Sequence, residues 1–91
     1  MAGSPPLAVI YRKSAFFNAR NLSAAHKRSL RTVLSGVAQD PKYRHNNLKP
    51  LKGVKNGFRL RLGDWRVSFV RDAKEGIIDV FEILPREKAY R

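Results

Sequence analysis

Three arginines between residues 58 and 66 are the side chains of this sequence best suited to chemistry on an anion. Arg59 and Arg61 alternate with apolar residues, and Arg66 follows two positions after a Gly-Asp pair. The planar guanidinium donates paired hydrogen bonds that match the oxygens of a phosphate or a carboxylate. Several such groups together can also stabilise the charge that develops on a phosphate during cleavage. The segment therefore predicts an anion site, with nucleic-acid phosphate as the first candidate ligand and an acidic stretch of a partner protein as the second.

A β-hairpin over residues 58–69 would bring these arginines together. Both halves of the segment alternate in polarity, and Gly63-Asp64 between them is typical of a two-residue hairpin turn. A register shift of one residue would turn the arginines into the core. On the outer face their charges repel one another, so either a bound anion compensates them or they are splayed into water. The register pairs Leu62 with Trp65, Arg61 with Arg66, Leu60 with Val67, Arg59 with Ser68 and Phe58 with Phe69.

The other elements predict an α+β fold of order β-α-α-β-β-β. We expect a mostly antiparallel, four-stranded sheet with both helices packed on one face. Apolar residues of the longer helix recur at the i, i+3, i+4, i+7 spacing, which marks its buried face. Besides the hairpin, the predicted elements are a strand over 7–11, a helix over 15–20 capped by Ser14, a helix capped by Ser23 and ending near Ala38, and a strand over 77–84 stopped by Pro85.

The segment 41–57 is predicted to be a mobile loop rich in basic residues. It contains two prolines and two glycines, which are typical of irregular structure. Its basic side chains are candidate RNA contacts: Arg44, Lys49, Lys52 and Lys55.

The overall charge indicates a polyanionic partner. Nineteen lysines and arginines against seven acidic residues leave a net charge of +12 on 91 residues, far more than solubility requires. There is no cysteine, no metal-ligand cluster and no glycine-rich phosphate loop, so we expect neither a cofactor nor a metal. No apolar run approaches the ~18 residues of a membrane helix, and the first residues lack the features of a signal peptide. We expect one cytoplasmic, bacterial domain over residues 1–91, with residues 1–6 as a disordered lead-in.

Three stretches resemble the RelE/ParE superfamily of toxins. Residues 48–53 match its LKG loop, residues 58–67 its aromatic-R-L-R-x-G-D-aromatic-R-V hairpin, and residues 86–91 its R-x-x-x-Y-R ending. The hairpin motif is the most specific of the three. This resemblance implies a microbial RNase-like fold and a toxin that an acidic antitoxin neutralises in a toxin–antitoxin complex.

The resemblance also implies a function and roles for single residues. RelE-like members cleave mRNA on the ribosome without a metal, whereas ParE-like members inhibit DNA gyrase; we favour the RelE-like function. The charge alone would also allow a plain nucleic-acid-binding protein, such as a ribosomal component, but the hairpin and the ending favour the two toxin functions. Under it, Arg61 and Arg66 stabilise charge on the phosphate, Arg86 does so near the leaving oxygen, and Tyr90 stacks on a base or holds a hydroxyl. Arg59 matches a further basic strand position of these nucleases.

One departure from the family pattern concerns the proton acceptor. RelE-like nucleases tend to carry lysines where this chain has Arg59 and Arg61, and an arginine does not give up its proton below pH ~12. Three alternatives stay open: Tyr90 or a ribosomal group accepts the proton, catalysis is slow, or the protein is not a nuclease.

Overall fold

Five strands and two helices make up residues 6–85, the part of the chain that the computed structural model describes. The strand order in the sheet is β1-β5-β4-β3-β2; β1 and β5 are parallel and the other neighbours are antiparallel. This confirms the predicted α+β class, with one strand more than expected. The elements are β1 (Ala8–Tyr11), α1 (Lys13–Ala19), α2 (Ala24–Gln39), β2 (Leu48–Pro50), β3 (Gly57–Leu62), β4 (Trp65–Asp72) and β5 (Ile77–Pro85).

The hairpin of β3 and β4 has the predicted register. Leu62 pairs with Trp65, and the ladder continues through Phe58 and Phe69, whose rings stack with centroids 5.6 Å apart. Gly63 adopts φ 57°, as the first position of a type II′ hairpin turn requires. A side chain at this position would also overlap His26, since a Cβ would lie 2.7 Å from its Cε1 atom. The turn therefore needs glycine both for its conformation and for its contact with α2.

The extra strand, β2, corrects the prediction that residues 41–57 form only a loop. Leu48 pairs with Leu60, and Pro50 pairs with Phe58, so β2 adds to the sheet beside β3. Three residues that include a proline leave little pattern to detect. Proline lacks the N–H that an interior strand needs, but it is tolerated at the edge of a sheet, where β2 lies.

The helix boundaries differ from the prediction at the first helix. Helix α1 begins at Lys13 after Arg12, and no side chain caps it, so Ser14 is inside the helix instead of at its N-cap. At α2 the predicted cap is confirmed, because the Ser23 side chain accepts a hydrogen bond from the backbone N–H of His26 (3.0 Å). Pro85 is the last residue of β5 and pairs with Trp65, one position beyond the predicted end. Within residues 6–85 no helix is long and apolar enough to cross a membrane.

The core lies between the helices and one face of the sheet. Leu30, Val33, Leu34 and Val37 of α2 are almost fully buried, as their spacing predicts. They form one cluster with the inward residues of the sheet, such as Phe69, which is completely buried and contributes ~1.5–3 kcal/mol to stability. From β4, Arg71 donates a hydrogen bond through Nε to the carbonyl of Val37 (2.9 Å), which satisfies a carbonyl and places a positive charge near the C-terminus of α2.

A β-bulge in β5 keeps both halves of this strand turned to the core. Ser68 pairs with Glu82, but the next residue, Phe69, pairs with Val80, so Phe81 is the extra residue. Val80 and Ile83 are both buried, and Glu82 faces the opposite side. The side of the sheet that carries the arginines is therefore continuous from β2 to β5.

Replacing Gly36 by alanine is expected to lower the free energy of unfolding by up to about 2 kcal/mol. Alanine normally stabilises a helix interior by ~1 kcal/mol relative to glycine, but overpacking costs ~1–3 kcal/mol. Here the added Cβ would overlap the ring of Tyr43, which packs directly on Gly36. Urea unfolding followed by circular dichroism measures the change. In a Tyr43→Ala background the same substitution should be neutral or stabilising; a stabilising Gly36→Ala in the native background would contradict this packing.

The pKa of Tyr11 predicts that stability falls at alkaline pH. Burial raises this pKa above the usual 10.0, and the nearby positive charge of Arg31 opposes the effect only in part. Below pH ~10 both the folded and the unfolded state are protonated, and the stabilising contribution is complete. Above pH ~10 the unfolded state ionises first, so the contribution is lost as the pH rises through the folded-state pKa. Melting temperatures of Tyr11→Phe should fall less between about pH 9 and 11 than those of the native chain; equal falls would contradict the assignment.

Candidate nucleic-acid interface

A cleft on the sheet face opposite the helices contains the predicted arginines. Its volume of about 130 Å³ is below the ~300–1,000 Å³ typical of sites for whole small molecules, so it suits a single charged group and its immediate neighbours. We call it the arginine cleft. It is lined by Asn46, Asn47, Lys49, Arg59, Leu60, Arg61, Gly63, Asp64, Trp65 and Arg66.

The pairing of Arg61 with Arg66 places two cations side by side. The backbone N–H of Arg61 points away from β4 and donates a hydrogen bond to the carbonyl of Asn47 (3.0 Å). Arg61 and Arg66 therefore form a non-hydrogen-bonded pair, in which Cα atoms are ~4.5 Å apart and side chains are closest. Two unit charges ~4 Å apart repel by about 1 kcal/mol in water and by more where the dielectric is lower. An anion between them turns this repulsion into attraction.

A second row of side chains crosses four strands next to this pair. Lys49 of β2 pairs with Arg59 of β3, Arg59 with Ser68 of β4, and Ser68 with Glu82 of β5. Strands are ~4.8 Å apart, so the two cations of this row lie within reach of one phosphate. Arg59 and Arg66 are half-buried while Arg61 is exposed. Where a guanidinium group is partly removed from water, it attracts an anion more strongly.

The structure brings together only part of the predicted site. Arg59, Arg61, Arg66 and Lys49 line the arginine cleft. The other loop residues predicted to contact RNA are exposed but do not line it: Arg44 follows α2, and Lys52 and Lys55 lie in the turns between β2 and β3. The predicted catalytic residues Arg86 and Tyr90 lie outside the described residues.

Six of the ten cleft residues were not predicted to act in the site; besides Leu60 and Gly63 they are two residues of the hairpin and two asparagines. Asp64 was expected only in the turn and Trp65 only as the partner of Leu62; Trp65 does pack against the core, but both residues also line the cleft. Asn46 and Asn47 received no role, because their position beside β3 depends on the strand β2 that the sequence pattern does not reveal. The only available signal was their place directly before the LKG motif of residues 48–53.

A groove between the two helices forms a second surface, away from the arginine cleft. Phe16, which is 57% exposed, is its most accessible apolar side chain. The positively charged side chains of Arg20, Lys27 and Arg31 also line the groove. We call it the helix groove. It is lined by Tyr11, Phe16, Ala19, Arg20, Leu22, Lys27, Leu30 and Arg31.

Several solved structures are similar to this chain. A chain of the archaeal RelE–RelB complex from Pyrococcus horikoshii is 25% identical, with a TM-score of 0.71, and the match covers 90% of this chain and 97% of that chain. An arginine-to-alanine double mutant of Escherichia coli toxin RelE in the free state is 16% identical, with a TM-score of 0.73. The match covers 94% of this chain and 88% of that chain. The intact E. coli RelBE toxin–antitoxin complex contains a chain that is 18% identical, with a TM-score of 0.68. The match covers 85% of this chain and 93% of that chain.

These comparisons define the fold as that of the RelE toxins and confirm the resemblance carried by the hairpin motif. No protein-family model matches the chain, and no curated protein sequence matches it significantly.

Proposed function

We propose that this protein is the toxin of a toxin–antitoxin pair and that it cleaves mRNA on the ribosome through its arginine cleft. The observation that carries this proposal is the cluster of Arg59, Arg61 and Arg66 with Lys49 on one face of a RelE fold. A net charge of +12 favours a polyanionic target.

The cleft supplies the electrostatic part of RNA cleavage. In this reaction the ribose 2′-oxygen attacks the adjacent phosphorus, the bond from phosphorus to the 5′-oxygen breaks, and the phosphate passes through a more highly charged state. Arg61 and Arg66, paired across the hairpin, stabilise that state, and Arg59 with Lys49 holds the neighbouring backbone. Because arginine does not act as a base near neutral pH, the proton of the 2′-hydroxyl passes to Tyr90 or to a ribosomal group. Arg86 stabilises the charge on the leaving 5′-oxygen, which takes up a proton from water to become the 5′-hydroxyl of the second fragment.

The proposed partner is an acidic antitoxin that occupies both surfaces. RelE is found with RelB in the P. horikoshii and E. coli complexes, which supports a hetero-oligomer here as well. The helix groove combines apolar walls with cationic rims at Arg20, Lys27 and Arg31, which suits the apolar face of an amphipathic helix with acidic flanks. An acidic segment over the arginine cleft would compete with RNA.

A cell-free translation reaction tests the nuclease directly. Purified protein is added to ribosomes that translate a 5′-labelled mRNA, and the RNA is separated on a sequencing gel. We expect new 5′-fragments that end within translated codons and that disappear when ribosomes are omitted or antitoxin is added. Intact mRNA at a protein concentration equal to that of the ribosomes would overturn the proposal.

A further inference from the structure

Asn46 and Asn47 place two side-chain amides in the arginine cleft that the fold itself does not use. Both residues are exposed and both line the cleft. Within residues 6–85, neither amide group makes a hydrogen bond to the chain, whereas the backbone around them is well held. These side chains therefore present a donor and an acceptor to whatever enters the cleft.

The turn at residues 45–48 does not depend on the asparagine side chains. His45 stabilises it through two hydrogen bonds. Its Nδ1 atom accepts one from the backbone N–H of Asn47 (3.1 Å), and its carbonyl accepts the other from the backbone N–H of Leu48 (3.1 Å). In two other turns of this chain the side chain of the turn residue itself accepts the hydrogen bond: Asp40 Oδ1 accepts from the N–H of Lys42, and Asp72 Oδ1 accepts from the N–H of Glu75.

Nor does a left-handed backbone explain the two asparagines. Asparagine is often selected in turns because it tolerates a positive φ. Asn56 has this role in the chain, with φ 57°, and it is the one non-glycine residue with positive φ in the described part. Asn46 and Asn47 have ordinary negative φ values, so many other residues would fit their backbone.

The two amides are fixed beside the cations that would hold a phosphate. The carbonyl of Asn47 accepts the N–H of Arg61 (3.0 Å), so the asparagine turn is attached to β3 at the residue that pairs with Arg66. Lys49 follows two residues later and also lines the cleft. A nucleotide whose phosphate lies between the guanidinium groups has its base one sugar away, within reach of this turn. Because the backbone of the turn is already ordered, binding has to order only the two side chains.

We propose that Asn46 and Asn47 read a base, preferably adenine, of the RNA strand in the arginine cleft. The amide offers one acceptor and one donor side by side, which matches the amino group and the adjacent ring nitrogen of adenine. Uracil presents a donor beside an acceptor only on its Watson–Crick edge (N3–H with O2 or O4), whereas adenine presents its amino group beside N1 on that edge and beside N7 on the other. Single-stranded RNA exposes these base edges, so they can be recognised without a groove. This inference rests on the proposed function in one respect, namely that RNA enters the cleft.

Binding of RNA that cannot be cleaved tests the inference separately from catalysis. The probes are fluorescein-labelled 2′-O-methyl octamers, one all uridine and one with adenosine at its two central positions; without a free 2′-hydroxyl neither can be cut. Fluorescence anisotropy measures the dissociation constants for the full-length native protein and for N46A/N47A. We expect the native protein to bind the adenosine probe about 5- to 150-fold more tightly, the range for a good amide–adenine pair. In the double variant the two affinities should agree within about twofold.

The control variant is N21A, which removes an exposed asparagine amide from the turn between α1 and α2. It should keep the adenine preference unchanged, and both variants should melt within a few degrees of the native protein. A native protein that binds both probes equally, or a double variant that keeps the preference, would overturn the inference. If the preference is present and lost as expected but mRNA is not cleaved on ribosomes, the base-reading role stands and the proposed nuclease activity fails.

Discussion

Replacing Arg66 by alanine is expected to reduce RNA cleavage by about 100- to 1,000-fold and to abolish growth arrest in cells that express the protein. Removing a single preorganised donor to a developing oxyanion costs this much in other enzymes. Arg66 pairs with Arg61 across the hairpin and lines the cleft, so the sheet rather than a mobile loop fixes the backbone from which its guanidinium would reach the proposed phosphate. Cleavage rates in a translating extract and colony counts after induction measure the two effects.

Two further variants show whether the charge or the geometry of Arg66 matters. Arg66→Lys keeps the charge but loses the planar pair of donors, and we expect an intermediate rate, roughly tenfold below the native protein. Arg28→Ala removes the same kind of side chain from the exposed face of α2, outside the arginine cleft, and should leave cleavage and toxicity unchanged. Arg66→Ala must still bind its antitoxin, which shows that it folds. Native toxicity in a folded Arg66→Ala protein would remove the arginine cleft from the mechanism.

Replacing Phe16 by alanine is expected to weaken antitoxin binding by about 30-fold or more while toxicity is kept. Aromatic side chains that fill a groove at the centre of an interface commonly contribute ~2 kcal/mol or more to binding. Phe16 is 57% exposed, lines the helix groove, and lies on the side of the molecule away from the arginine cleft. Calorimetric titration with the antitoxin encoded beside the toxin gene measures the affinity.

The matched control for Phe16 is Val54→Ala. Val54 is also an exposed apolar residue, at 38%, but it lies in the connection between β2 and β3 and not in the helix groove. Its truncation should change antitoxin affinity by less than about threefold. Equal affinities for Phe16→Ala and the native protein would show that the antitoxin binds elsewhere.

The hairpin of β3 and β4 could be predicted in detail because one alternation of polarity and one turn signal determine it together. A two-residue turn at Gly63-Asp64 sets the register, and a shift of one residue would bury arginine. The face shared by Arg59, Arg61 and Arg66 follows from that register alone. Helix α2 was equally predictable, since Ser23 caps it and its apolar spacing marks the buried face.

The rest of the site depends on long-range pairing that local patterns do not show. Strand β2 has three residues and contains Pro50, so it is stabilised by β3 and not by its own propensity. Without β2, neither the outward direction of Lys49 nor the position of Asn46 and Asn47 beside Arg61 can be deduced. Helix α1 was misplaced by two residues at its start because no side chain caps it, so its local sequence has no clear starting signal.

The central claim is that the arginine cleft cleaves mRNA on ribosomes, and mapping RNA 5′ ends in cells tests it most directly. The native protein and Arg66→Ala are induced briefly, 5′ ends of cellular mRNAs are mapped by primer extension, and the supercoiling of a plasmid is followed in parallel. We predict new 5′ ends inside translated codons that require translation, that are absent in Arg66→Ala, and that appear without a change in supercoiling. Intact mRNA together with broken or abnormally supercoiled DNA would contradict the account and would assign the protein to the ParE-like inhibitors of gyrase.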